Sequence, residues 1–496
     1  MNNGVDAASE PVDKQPSPLL SQPLPAARHE VALVAAAELR ERQRWQPTAL
    51  HPGPSFKTIE WSADGTAVIA STASKSILTY VLPPDLLSQT KDSEEGHASA
   101  HHRLRCHGRL RFGLSPVSVA PAPYFSLLAP WSQTALVGFR DRPIQLYPLF
   151  PSDGGEADGD DEGDGNDSDS TRSTLPQPVA SYSLIKHETE AFLPPMALIW
   201  PAPGTHFVVG TKSLIALFDS SRISNDPPLL RVPTVAYTGG GFALGLRGMV
   251  SALAEGTEGS SQRLTAAGTW TRGVGLYDLT RSGGVCAAHW KLSDDAASSV
   301  SHGDGVVQLL WSPCGRYLVV NERKSQGLLV YDVRGSGRLL CTLAGRSART
   351  TQPIRCAVYG GGNGQDNGFE LWSGTDNGTG VLYQGVGQRE GVVEPTWQWQ
   401  AHSHTVIGGT AMHASGSVIA TCSSSPQVLD RDNGHDAREC VDGTEDGESD
   451  SDSDSGNRSL SSASSASNQG QPDSTLSDPS IKFWSLLSLN SGAEHS

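Results

Sequence analysis

A short β-rich unit recurs seven times along the chain, and this recurrence limits the fold more than any other feature. Its clearest fragment stands twice almost unchanged. Trp61-Ser62-Ala63-Asp64-Gly65 precedes the apolar run Val68-Ile69-Ala70, and Trp311-Ser312-Pro313-Cys314-Gly315 precedes Leu318-Val319-Val320. A further strand-like run follows each, Ile77 to Tyr80 and Leu328 to Asp332. A strand, a turn built on Pro, Asp and Gly, a second strand and a third with a terminal aromatic make one blade of a β-propeller. A lone blade cannot bury its own faces, so blades stack in a ring and present two broad loop surfaces.

The spacing predicts an all-β chain with a single seven-bladed WD40-type propeller over residues 45–490. Period-2 alternation places blade one from Phe56 to about Phe112, with an outer strand near Leu104 to Phe112. Blade two takes Tyr124 to Leu128, Ala135 to Val137 and Ile144 to Tyr147; blade three takes Ala197 to Trp200, His206 to Val209 and Ile215 to Phe218. Blades four and five run through Val250 to Tyr277 and Val306 to Tyr331, and blade six through Ile354 to Tyr383. Blade seven takes Thr405 to Met412, Val418 to Thr421 and, after a long detour, Ile481 to Trp484. Before the ring come a disordered leader (1–28), a short Ala- and Arg-rich amphipathic helix (29–44) and Trp45 to Leu50, a candidate closing strand for blade seven.

Two acidic, Ser/Asp/Gly-rich inserts interrupt the ring, 151–178 in blade two and 423–477 in blade seven, and both read as disordered. They hold the net charge. Residues 151–170 and 430–454 each carry −9 of the total of −16, which leaves the remainder near +2. The tract Glu448-Ser449-Asp450-Ser451-Asp452-Ser453-Asp454 has the pattern of acid-directed serine phosphorylation or of a plain solubilising segment.

Seven scattered cysteines (Cys106, Cys286, Cys314, Cys341, Cys356, Cys422 and Cys440) form no C-x-x-C pair and no Cys/His cluster. That argues against a zinc site and a disulfide framework, and for a reducing compartment. No apolar run approaches the ~18 residues that a membrane span needs. The glycine clusters Gly239 to Gly245 and Gly360 to Gly364 lack the lysine and the strand–loop–helix setting of a phosphate loop. No nucleophile elbow or metal-binding motif occurs, so neither catalysis nor a cofactor is expected. His402 and His404 fall near a blade junction, where a structural histidine is usual for this repeat.

The turns between second and third strands of all blades point to one face. In five blades they are basic: Lys75; Arg140 with Arg142; Lys212; Arg272; Arg323 with Lys324. Blade six breaks the pattern with Asp376, and Asp141 reads as a turn residue. Converging Lys and Arg make an anion-binding surface, and Trp270 beside Arg272 offers a base-stacking platform. The alternative is an ordinary solvated turn. A secondary basic strand carries Arg103, Arg105, Arg109 and Arg111 on one side, either as an RNA contact or as charged protection of an edge.

Several ordered fragments resemble the telomerase Cajal body protein family of WD-repeat proteins. Phe56 to Leu87, with its tail Leu82-Pro83-Pro84-Asp85-Leu86, is similar to that family's opening blade. Arg140-Asp141-Arg142-Pro143-Ile144 resembles its Asn-Pro-Ile turn, with Arg142 at the Asn position. Leu246 to Asp278, ending Gly275-Leu276-Tyr277-Asp278, resembles a middle blade, and Thr405 to Ser423 the last. The two acidic inserts are not part of the family pattern. The resemblance implies a non-catalytic nuclear scaffold, in Cajal bodies where these exist and also in the cytoplasm. It implies binding to small nuclear RNA of the H/ACA or small Cajal body type, telomerase RNA included, and contact with ribonucleoprotein or nuclear-body proteins. The chain is expected to be monomeric and without a membrane contact. The alternative from another class is a protein–protein adaptor, for example in pre-mRNA splicing, with no RNA contact.

Overall fold

The computed structural model describes residues 29–39, 55–86, 101–151, 175–186, 188–223, 226–237, 243–256, 263–292, 303–335, 337–360, 368–424 and 479–488. These form an all-β, seven-bladed propeller in which each blade is an antiparallel sheet of four strands. Blade one is Phe56–Trp61, Ala67–Thr72, Ser76–Val81 and Gly108–Arg111. Blade four (Val250–Glu255, Thr265–Thr269, Gly273–Asp278, Val285–Lys291) and blade five (Val306–Trp311, Tyr317–Glu322, Leu328–Asp332, Arg338–Leu343) repeat the pattern.

The repeated pentapeptide has a physical job. In both copies the serine hydroxyl accepts a backbone N–H across the turn, Ala67 to Ser62 and Tyr317 to Ser312, each at 2.9 Å. Gly65 and Gly315 take φ near +70° (70° and 67°), a conformation that side chains resist. The Trp indoles then reach the preceding blade. Trp61 donates to the Ala411 carbonyl at 3.0 Å and Trp311 to the Ala254 carbonyl at 3.2 Å. Each copy therefore closes one tight turn and ties two blades together.

Apolar burial follows the same logic. Every pair of neighbouring blades shares a cluster: Ile69, Ile77, Phe125 and Val137 between blades one and two, and Trp372, Trp399, Ile419 and Trp484 between six and seven. Blades seven and one meet through Val34, Phe56, Ile59, Val68 and Phe483, so the ring is closed.

The closure differs from the sequence expectation. Residues 29–38 are the strand His29–Glu38, not a helix, and they supply the outer strand of blade seven by antiparallel pairing with Ser480–Ser488. The helix propensity of the Ala-rich run is worth a few tenths of a kcal/mol per residue. The unpaired edge of blade seven offers a full ladder and an apolar slot for Val34, Ala35 and Ala37. The propeller therefore starts at His29 rather than 45, and Trp45 to Leu50, with the leader, lies outside the described residues.

Blade two also differs. Its inner strand is Ser118–Pro121, and Tyr124 to Leu128 forms the loop after it. Buried Phe125 gives that loop the apolar look of a strand. Ser423 and Ser424, expected inside an insert, end the second strand of blade seven. Pro151 and 175–178 flank the blade-two insert; the remainder of both inserts, Gly239 to Gly241 and Gly361 to Gly364 lie outside the described residues. Blades five and seven each carry an added parallel strand at the outer edge, Gly391–Val393 and His102–Arg103.

Candidate nucleic-acid interface

The turns between second and third strands share one end of the ring, and three of them are built alike. Thr72, Thr269 and Thr375 each accept, at 3.2, 3.0 and 3.0 Å, the backbone N–H of the residue four positions on. A polar side chain two positions on, Ser74, Thr271 or Asn377, bonds the same hydroxyl. The residue three positions on must then adopt positive φ. In blade six that residue is Gly378, at 88°; in blades one and four it is Lys75 at 63° and Arg272 at 62°. Lys324 in blade five is also left-handed, at 58°. A non-glycine residue there costs about 1–2 kcal/mol, so the basic side chains are kept against the local preference of the backbone.

Their partners divide them into two groups. On blades four and five the cations are neutralised. Arg272 grips Glu322 side-on at 2.7 Å, with the Glu322 side chain 1% exposed and the Arg272 side chain 16%. Arg323 meets Asp304 at 2.7 Å and Lys324 meets it at 3.5 Å. Burial pushes the Asp304 carboxyl up, but the hydrogen bond and charge of Arg323 and the charge of Lys324 bring it below its ordinary value. Trp270 is 45% exposed, yet the Arg323 guanidinium already stands over its ring at 4.6 Å. The stacking platform is therefore occupied by the protein's own cation, and Arg272 holds a buried carboxylate.

On blades one to three the cations stay exposed. Lys75, Arg140, Arg142 and Lys212 have no ion pair within 4.0 Å among the described residues. The Lys75 ammonium donates to the Gly113 carbonyl at 3.3 Å. Lys57 joins them. It opens the inner strand of blade one and reaches the Ser115 hydroxyl at 3.4 Å, and partial burial lowers its ammonium pKa. Sequence reading passes over Lys57 because it belongs to a strand start rather than a turn; only the position of the 113–115 loop brings it beside Lys75.

The single basic strand expected over Arg103 to Arg111 is divided: Arg103 lies in His102–Arg103 at the edge of blade seven, Arg105 in the connection that follows, and Arg109 and Arg111 in the outer strand of blade one, because the two edges take up separate pieces of the segment. All four arginines are exposed while Leu104 and Leu110 are buried. Arg103 pairs with Glu38 at 3.3 Å. Arg111 lies opposite Ser76, one residue from Lys75, so the strand Gly108–Arg111 climbs the rim of blade one toward the arc.

Two other observations bear on chemistry. A cavity of about 400 Å3 along the ring axis is lined by inner-strand residues, with Glu60 and Arg355 among them. Burial raises the pKa of Glu60 and the charge of Arg355 opposes that rise. His402 is 2% exposed and bonds Thr421 at 2.9 Å, and Trp484 donates to the same hydroxyl at 3.0 Å. Burial, then the nearby Lys482 charge, lowers its pKa to about 3. It is a neutral packing residue whose two ring nitrogens meet the hydroxyls of Thr421 and, at 3.4 Å, Ser480. Among the described residues no group of three His, Cys, Asp or Glu side chains is placed to hold a metal, and no helix is long and apolar enough to cross a membrane.

No known protein-family profile matches the chain. Among curated proteins, telomerase Cajal body protein 1 of Bos taurus is 22% identical over 401 residues, 80% of this chain and 62% of its own length. The Homo sapiens protein of that name is 22% identical over 385 residues, 76% of this chain and 58% of its own length. The guanine nucleotide-binding protein negative regulator 1 of Schizosaccharomyces pombe is 24% identical over 303 residues, 60% of this chain and 64% of its own length. The chain thus spans about three-fifths of the length of these relatives, and its likeness to the telomerase Cajal body proteins is distant but consistent.

Proposed function

We propose that this propeller, a distant relative of telomerase Cajal body protein 1, is a non-catalytic nuclear scaffold that binds a small nuclear RNA of the H/ACA or small Cajal body type. It would assist localisation or assembly of the ribonucleoprotein, telomerase included. The observation that carries the reading is the arc of Lys57, Lys75, Arg140, Arg142 and Lys212 on the second-to-third-strand face, cations with no acidic partner among the described residues. Lys75 keeps a left-handed backbone where blade six uses glycine. An arc of exposed cations on a rigid ring follows a phosphate backbone, and Arg109 and Arg111 on the outer strand of blade one extend the path down the rim. Ribonucleoprotein and nuclear-body proteins are the protein partners this reading implies.

The resemblance to the Schizosaccharomyces pombe regulator supports a second reading, a protein–protein adaptor without RNA. Ultraviolet crosslinking in cells, followed by sequencing of the bound RNA, separates the two. Recovery of H/ACA or other small nuclear RNAs, with crosslinked peptides from the arc, is the expected result. Absence of any enriched RNA would turn the assignment to the adaptor.

A further inference from the structure

The opposite face of the ring carries an apolar feature that RNA binding does not use. The 122–133 loop joins the inner and second strands of blade two and displays Leu128 at 94% and Trp131 at 75% exposure. Tyr124 stacks on Trp131, with ring centroids 5.7 Å apart and 24° between planes, and sets its edge on Trp200. The display is held firmly. Phe125 is buried beneath it. The Ser132 hydroxyl accepts the Ser126 N–H at 2.9 Å, the Gln133 amide bonds the Leu127 carbonyl at 2.9 Å, and Asp64 accepts the Leu127 N–H at 2.7 Å. Rigid aromatic residues presented to water at no ordering cost have the character of an interaction hot spot.

We propose that Tyr124, Leu128 and Trp131 form a docking site for a proline-rich segment, and that its occupant is the chain's own leader between Pro11 and Leu20. Stacked aromatic rings recognise the ridges of a polyproline II helix, which pays little entropy on binding. The leader has the matching composition there, Pro11, Pro16 and Pro18 with Leu19 and Leu20, and enough residues after Leu20 to connect to His29. It also leaves the ring on the correct face. His29 pairs opposite Ser488, and Leu486 bonds the Ser417 carbonyl in the first-to-second-strand turn of blade seven. In that turn His413 lies against Gly65 of blade one, and Asp64 beside it holds Leu127. The path from His29 to the aromatic pair therefore crosses two neighbouring turns on one surface. Two sheet-to-sheet steps of about 10 Å and three strand spacings of about 4.8 Å combine to roughly 25 Å. The 11 residues from Pro18 to His29 span about 34 Å as polyproline II.

The test uses the full chain with Trp131→p-benzoylphenylalanine, irradiated at low concentration and mapped by mass spectrometry. The expected product is a crosslink from position 131 to residues 11–20 at monomer mass. A second full-length protein, carrying also Pro11, Pro16 and Pro18→Ala, should lose crosslink yield by about fivefold or more. Local crosslinks to the Pro123 or Tyr124 region report that the probe is active. Active probe without a leader crosslink overturns the proposal. So does a leader crosslink found only at dimer mass, which would make a second copy the occupant. A yield unchanged by the proline substitutions overturns the polyproline mode of recognition.

Discussion

Arg272→Met is expected to destabilise the propeller while leaving the proposed affinity for RNA unchanged. Glu322 is the reason. Its side chain is 1% exposed, and the side-on grip of Arg272 at 2.7 Å compensates its charge. Two unit charges about 3 Å apart attract by roughly 5 kcal/mol at an effective dielectric of 20, against a burial cost of several kcal/mol per ion. The intact pair therefore contributes little net stability, but removal of the guanidinium leaves the buried carboxylate without its countercharge and costs about 3–5 kcal/mol. Methionine keeps most of the aliphatic length, so lost packing is a small part of the loss. Guanidinium denaturation followed by tryptophan fluorescence measures the change, and the double variant Arg272→Met/Glu322→Leu should recover most of it. A single variant within about 0.5 kcal/mol of the parent, or a double variant no better than the single, would refute the assignment of Arg272 as a structural cation.

Three further outcomes follow from the site and the ring. Replacing Lys75, Arg140, Arg142 and Lys212 together by Ala should reduce the slope of log affinity against log salt for single-stranded RNA by roughly 0.7 per lost phosphate contact, with an unchanged melt; an unaltered slope would make these turns ordinary solvated surface. Lys75→Gly alone removes a left-handed lysine at φ 63°, so stability should hold or rise by up to about 1 kcal/mol while one contact is lost; a clear drop in melting temperature would show that the lysine holds the turn. For His402, whose pKa burial lowers from 6.5 to about 3, the unfolded chain takes up a proton below pH 6.5 that the folded state refuses until about pH 3. That residue's share of stability is thus complete above pH 6.5, falls by about 2 kcal/mol at pH 5 and levels off near pH 3; His402→Gln should flatten the pH 7-to-5 difference in unfolding free energy, and an identical pH profile in the variant would contradict it.

The blade pattern and the face that carries the basic turns are legible in the sequence because both are local. The turn at Trp61 to Gly65 closes through its own serine hydroxyl and its own glycine, and the threonine turn that sets Lys75 and Arg272 is complete within five residues. Strand alternation within Gly108–Arg111 then gives Leu110 to the core and Arg109 and Arg111 to water. What tertiary structure alone decided are the properties set by residues far apart in sequence. Glu322 lies fifty positions from Arg272, so nothing near Arg272 reveals that its charge is already neutralised. Arg323 covers Trp270 from the next blade, and the 113–115 loop places Lys57 beside Lys75. The Ala-rich run His29–Glu38 carries a helical preference of its own, but the open edge of blade seven, formed by residues some 450 positions later, offers it backbone partners and an apolar slot. A closed ring leaves no edge unpaired at that junction, and this long-range gain exceeds the local propensity.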